Sequence, residues 1–83
     1  MTTRFTNSAV RQLSRLERNI QKRITDKLEF YCSQDQPLSF AERVTDSRFG
    51  DWRFRVGEYR VLFDVEGDEL VVLAVGHRRE IYR

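Results

Sequence analysis

The chain has little of what builds covalent or metal-held frameworks. Its 83 residues include one cysteine, one histidine, one methionine, one proline and four glycines. A single thiol, Cys32, forms no internal disulfide, which excludes a disulfide scaffold, and it has no companions at metal-ligand spacing, so no structural metal is expected. Cys32 is expected to be a half-buried helix residue in a reducing compartment. No apolar run reaches membrane-spanning length, no pattern reads as a signal peptide, and no repeat or low-complexity stretch interrupts the chain. The protein is therefore expected to be soluble and cytoplasmic, with no membrane partner and no cofactor. Residues 1–83 form one domain, whose core buries roughly 60% of its unfolded surface.

Charge is abundant and unevenly placed. Fifteen basic residues oppose thirteen acidic ones, for a net charge of +2. Asp64, Glu66, Asp68 and Glu69 crowd one short stretch, so elsewhere fifteen basic residues face nine acidic ones. That surplus suits a nucleic-acid partner. Arg11, Arg15, Arg18 and Arg23 are read as solvating helix faces.

The first half reads as scaffold. Residues 3–6 around Phe5 suggest a short edge strand, after which Thr6 or Asn7 caps a helix with apolar positions Ala9, Leu13, Leu16 and Ile20. Ile20, Ile24, Leu28 and Tyr31 continue the stripe. One unbroken helix of about 26 residues would run ~39 Å, whereas strands of about seven residues span only ~23 Å. A helix hairpin is therefore expected, broken near Glu17 to Asn19, with Gln34 to Pro37 ending the second helix. Ser39 and Glu42 fit a capping box for a helical turn over 39–44, and an extended approach to the next strand fits equally well.

The last third is a three-strand meander. Trp52, Phe54 and Val56 alternate with Arg53 and Arg55, the period of a strand with one buried face. Gly57-Glu58 supplies a two-residue hairpin turn. Counting outward from it, Val56 faces Tyr59, Arg55 faces Arg60, Phe54 faces Val61 and Trp52 faces Phe63. Arg53, Arg55 and Arg60 thus share the side opposite the aromatics, where like charges repel unless an anion lies across them. A second turn, Gly67-Asp68, sets Phe63 against Val72 and Val61 against Ala74. On that register Leu70, Val72 and Ala74 join the core, while Val71, Leu73 and Val75 lie beside Arg60 as an apolar strip that a partner would cover. His77 shares the parity of Val75 and is expected on the cationic face.

The segments from Gly50 and Trp52 through Gly57-Glu58-Tyr59-Arg60, and from Val75-Gly76-His77 to Arg78-Arg79-Glu80-Ile81-Tyr82, resemble the C-terminal signature of the RelE/ParE superfamily of type II toxin-antitoxin toxins. The resemblance covers nearly the whole chain. It implies an α+β fold: a short N-terminal strand, a two-helix hairpin, then a three-stranded antiparallel meander in a small, mainly antiparallel sheet with the helices on one face. It implies a prokaryotic protein, monomeric outside its complex, that is silenced by a cognate antitoxin. In the RelE branch it further implies cleavage of mRNA in the ribosomal A site.

Carried over by motif, Arg53 and Arg55 match the two basic positions of the first meander strand, Arg60 the arginine after Gly-x-Tyr, Arg78 the arginine after Val-Gly-x, and Tyr82 the closing tyrosine. Cleavage needs a base for the 2′-hydroxyl, cations on the phosphate and stabilisation of the departing 5′-oxygen. Tyr82 is the candidate base, helped by guanidinium charge from Arg60 and Arg78. Arg60, with Arg53 and Arg55 behind it, holds phosphates, while Arg79 and Arg83 position RNA. Arg78 serves the leaving oxygen as acid or electrostatic stabiliser, with His77 as the alternative proton donor. Two other classes stay open: a ParE-like inhibitor that binds DNA gyrase, and a catalytically degenerate binding module.

Overall fold

A computed structural model describes residues 1–45 and 50–82. It contains β1 (Thr2–Phe5), α1 (Asn7–Ser14), α2 (Arg18–Cys32), a 3-10 turn (Pro37–Phe40), β2 (Glu42–Arg43), β3 (Trp52–Val56), β4 (Tyr59–Glu66) and β5 (Glu69–His77). The strands form one five-stranded sheet in the order β1-β5-β4-β3-β2, with β1 parallel to β5 and every other pair antiparallel. This is the expected α+β arrangement with one strand more, because the extended approach to β3 pairs with it as β2.

Thr6 joins β1 to α1. Its Oγ1 accepts the Ala9 N–H at 3.1 Å, the N-cap expected of it and typically stabilising by about 1 kcal/mol. The hairpin break falls at Arg15 to Glu17, slightly before the expected point, and neither glycine nor proline makes it. Instead, Gln21 reaches back from α2 and donates its Nε2 to the Leu16 carbonyl at 2.8 Å, satisfying an acceptor that the end of a helix leaves open. Glu17 takes an extended conformation and α2 starts afresh, burying Ile24, Leu28 and Tyr31 at helical spacing. Cys32 is half-buried at its end, as expected, with Thr3 Oγ1 3.2 Å from its sulfur. The capping box is not formed: Ser39 Oγ donates to the Gln36 carbonyl at 2.7 Å, while Glu42 lies in β2 opposite Arg53.

The helices pack on one sheet face around Phe54, Val61, Phe63, Leu70 and Val72. An aromatic stack runs outward through this core, from Phe63 to Phe54, Tyr31 and Phe40, with ring centroids 4.5, 4.5 and 5.0 Å apart. The β3–β4 register is the one expected, Arg55 opposite Arg60 and Trp52 opposite Phe63, closed by Gly57 at φ +60°. The β4–β5 pairing starts as expected, with Phe63 opposite Val72, and then shifts. Leu62 pairs with Ala74 and Val61 with Val75, which leaves Leu73 as an extra, unpaired residue.

That bulge corrects three placements, since one inserted residue reverses the face of everything after it. Ala74 turns to the outer face, and Val75 turns into the helix-side core, where it is 2% exposed. His77 keeps the parity of Val75 and so also lies on the helix side, its ring edge-on to Tyr59 at 5.5 Å. Nor is Val71 an open part of an apolar strip, being only 3% exposed.

Phe54 is fully buried at the middle of the aromatic stack. Phe54→Ala should cost about 3–5 kcal/mol in chemical denaturation, and truncation of the half-exposed Phe30 only a small fraction of that.

Candidate functional site

The outer sheet face carries the charged strip. Cross-strand register sets Glu42 beside Arg53, Arg53 beside Leu62, Arg55 beside Arg60 and Arg60 beside Gly76. Parity thus brings Arg53, Arg55 and Arg60 together. The repulsion between them is relieved by a residue that sequence reasoning missed. Glu42 on β2 takes the Nε of Arg55 at 2.6 Å and the Nε of Arg53 at 3.3 Å. No sequence pattern announced it, because a two-residue strand has no period to read.

After His77 the chain turns back over this face, with the N–H groups of Glu80 and Ile81 both donating to the His77 carbonyl. The turn carries Tyr82 to Arg53, whose Nη1 donates to the phenolic oxygen at 2.8 Å. The bond to Tyr82 raises the Arg53 pKa above its ordinary value, against a lowering by partial burial and with added help from Glu42. Arg53 therefore stays fully charged while it touches the phenol. The guanidinium neighbours expected for Tyr82 were Arg60 and Arg78, and the one it bonds is Arg53.

Arg60 is the one buried charged residue among the described residues, at 8% exposure. Its Nη1 donates to the carbonyls of Gly57 and Tyr59 at 2.9 and 2.8 Å, bracing its own hairpin, and no carboxylate among the described residues pairs with it. Its Nε and Nη2 hold no hydrogen bond there, and among the described residues no buried side-chain nitrogen or oxygen lacks a partner, so these atoms keep contact with solvent. Nη1 of this arginine is taken up in bracing the hairpin, while Nε and Nη2 keep donors that no described residue uses.

Arg78 is half-exposed at the start of the turn, paired through Nε with Glu58 Oε2 at 2.7 Å, while its N–H donates to the Glu58 carbonyl at 2.8 Å. Arg79 is exposed, and its N–H donates to His77 Nδ1 at 3.1 Å. His77 lines a cleft of about 530 Å³ along the β5 edge, with Gln12, Arg15, Leu16, Tyr59 and Glu80 among its walls. The structure does not bring His77 to the arginines. Arg83 lies outside the described residues.

The strip can hold an anion across Arg53, Arg55 and the remaining donors of Arg60, beside the phenol that Arg53 touches. Among the described residues, no group of three metal-ligating side chains accompanies it.

The sequence profile described as "ParE toxin of type II toxin-antitoxin system, parDE" matches residues 3–82. Toxin RelG of Mycobacterium tuberculosis is 31% identical over 84 residues, covering 99% of this chain and 95% of RelG. Among solved structures, the toxin-antitoxin complex RelBE2 from Mycobacterium tuberculosis superposes with a TM-score of 0.75 at 29% identity, over 93% of this chain and 96% of the other. The RelB-RelE antitoxin-toxin complex from Methanococcus jannaschii gives 0.72 at 26% identity, over 95% and 94%. A profile matched from Thr3 to Tyr82, a relative aligned almost end to end and two superposing folds agree: the chain belongs to the RelE/ParE superfamily of type II toxin-antitoxin toxins.

Proposed function

We propose that this toxin is an mRNA endoribonuclease that works in the ribosomal A site and stops translation. The observation that carries the reading is the Tyr82 phenol held 2.8 Å from Arg53 on the face that also presents Arg55 and Arg60. Arg53, Arg55 and the open side of Arg60 hold the scissile and flanking phosphates, and RNA displaces Glu42 from the guanidinium pair. Tyr82, reacting as the phenolate that the Arg53 guanidinium stabilises, takes the proton of the 2′-hydroxyl, whose oxygen attacks the adjacent phosphorus. The bond to the 5′-oxygen breaks, leaving a 2′,3′-cyclic phosphate on one fragment. Arg78 exchanges Glu58 for the departing oxygen and stabilises it electrostatically, its guanidinium being a poor proton donor, while water supplies the proton that makes it a 5′-hydroxyl. His77, on the helix side, supports no step of this scheme.

A second reading is favoured by the ParE description of the matching profile: inhibition of DNA gyrase by binding, with no chemistry at Tyr82. The two differ in what fails first in the cell. RNA cleavage predicts early loss of protein synthesis with intact DNA, whereas gyrase inhibition predicts early double-strand breaks that persist in Tyr82→Phe.

In a translating extract the antitoxin-free protein should cut messages and leave 2′,3′-cyclic phosphate ends. Arg53→Ala and Tyr82→Phe should each slow cutting by about 10²-fold or more, the usual loss when a preorganised charge or proton acceptor is removed. Wild-type cutting by Tyr82→Phe would remove the phenol as base and turn attention to Glu42. Arg60→Ala should slow cutting and also lower stability by about 1–3 kcal/mol, since it strips the Gly57 and Tyr59 carbonyls of their donor.

The partner is a cognate antitoxin, as in the two superposing complexes. The apolar strip first expected to receive it is not available, because Val71 and Val75 are buried. Half-buried Leu73 and the exposed Arg55 remain on that side, and the half-exposed aromatics Phe30 and Phe40 offer apolar surface on the helix side. Arg55→Glu should weaken the complex about tenfold at low salt and less at high salt, as charge pairing at an exposed site does. Unchanged affinity for Arg55→Glu with a loss for Phe30→Ala would assign the contact to the helix side.

A further inference from the structure

From Arg78 to Tyr82 the chain makes a turn whose side chains are open to solvent, with one exception. Arg78, Arg79, Glu80 and Tyr82 are exposed, whereas Ile81 is 8% exposed. It is buried in a small cluster with Leu62 and Ala74, separate from the core beneath the helices. Gly76 forms the floor of that hollow: a Cβ at Gly76 would stand 3.6 Å from the Ile81 Cβ and 3.8 Å from its Cγ1 and Cδ1. Ile81 is the side chain by which the turn grips the outer face of the sheet.

The grip lies next to the phenol. Leu62, under Ile81, is the cross-strand partner of Arg53, and Arg53 holds the hydroxyl of the very next residue, Tyr82. The two contacts differ in strength. A single hydrogen bond to a side chain that is 49% exposed competes with water and retains little of its gross energy. A buried β-branched side chain, by contrast, has few allowed χ1 states and transmits the shape of its hollow to its own backbone.

We propose that Ile81 is a positioning residue of the site. By filling the hollow over Leu62, Ala74 and Gly76 it fixes the backbone from which Tyr82 meets Arg53, and hence the place of the phenolic oxygen. The inference rests on the reading of Tyr82 as the base, and its consequences for geometry and for chemistry are separable. The Arg78–Glu58 pair tethers the near end of the turn and Ile81 the far end, so loss of Ile81 frees the phenol while leaving the phosphate-binding arginines in place.

The test compares Ile81→Ala and Ile81→Val with Val65→Ala, a truncation on β4 away from the strip that serves as a stability control. Cleavage by Ile81→Ala should fall about tenfold to 10²-fold in kcat, the scale of an ångström-level misplacement, with KM changed by no more than about twofold. Ile81→Val should restore most of the rate, and Val65→Ala should leave both constants near wild type. In protein carrying ring-labelled tyrosine, the NMR signal of Tyr82 should move in Ile81→Ala toward its position in Arg53→Ala, while those of Tyr31 and Tyr59 stay. An unmoved Tyr82 signal, or a rate loss no greater than that of Val65→Ala, would overturn the proposal. If the wild-type protein cuts no RNA the endoribonuclease reading fails, and the tyrosine spectra alone decide whether Ile81 positions the phenol.

Discussion

One extra residue in one strand organises the molecule. Leu73 has no partner across the sheet, and the half-turn it introduces sends Ala74 outward and Val75 inward. The inward valine extends the helix-side core, and its N–H is taken by Gln12 Oε1 at 2.8 Å, which caps the edge of β5 beyond the end of β1. The outward alanine is small enough to leave, with Gly76, a hollow above Leu62. A regular strand would place Val75 on the outer face and Ala74 under the helices, removing a core methyl pair on one side and the seat of Ile81 on the other. The bulge thus lets one strand serve two apolar clusters on opposite faces of the same sheet.

Electrostatically, the outer face is held in a balanced but loaded state. Arg55 and Arg60 are direct cross-strand neighbours of like charge, an arrangement that opposes sheet formation. Glu42 neutralises part of it, and the hairpin carbonyls satisfy the buried side of Arg60 without cancelling its charge. Local preference and global fold disagree at this pair, and such a disagreement is where a binding or reacting surface is expected. The carboxylate of Glu42 occupies a guanidinium pair much as a phosphate oxygen would, so the pair is already arranged around an anionic oxygen.

How much of this was legible in the sequence depends on whether a side chain far away took part. The β3–β4 register was readable because a two-residue turn with a left-handed glycine fixes the count on both sides. Alternation then gave the faces of Arg53, Arg55 and Arg60. The bulge at Leu73 carries no glycine or proline and interrupts a run of valines, leucine and alanine that fits either face, so strict alternation misplaced Ala74, Val75 and His77. The helix break is made by Gln21 bonding a carbonyl five residues back, and such a contact leaves no local mark. Glu42 and the choice of Arg53 as the partner of Tyr82 depend on two segments, β2 and the C-terminal turn, too short to show a period.

The parallel pairing of β1 with β5 bears on the order in which the chain acquires its shape. Arg4 bonds Glu69 and Glu66 across 65 and 62 residues, and β1 pairs with β5, its one strand neighbour among the described residues. During synthesis the helix hairpin and the β3–β4 hairpin form from local contacts, but the first strand stays unpaired until the fifth emerges. The same strand brings Ala74 and Gly76, so the seat for Ile81 comes into being at the same late moment. A nascent chain stopped short of β5 has its arginines but neither the phenol nor the hollow that seats the turn, so the outer face is completed only when the last strand pairs.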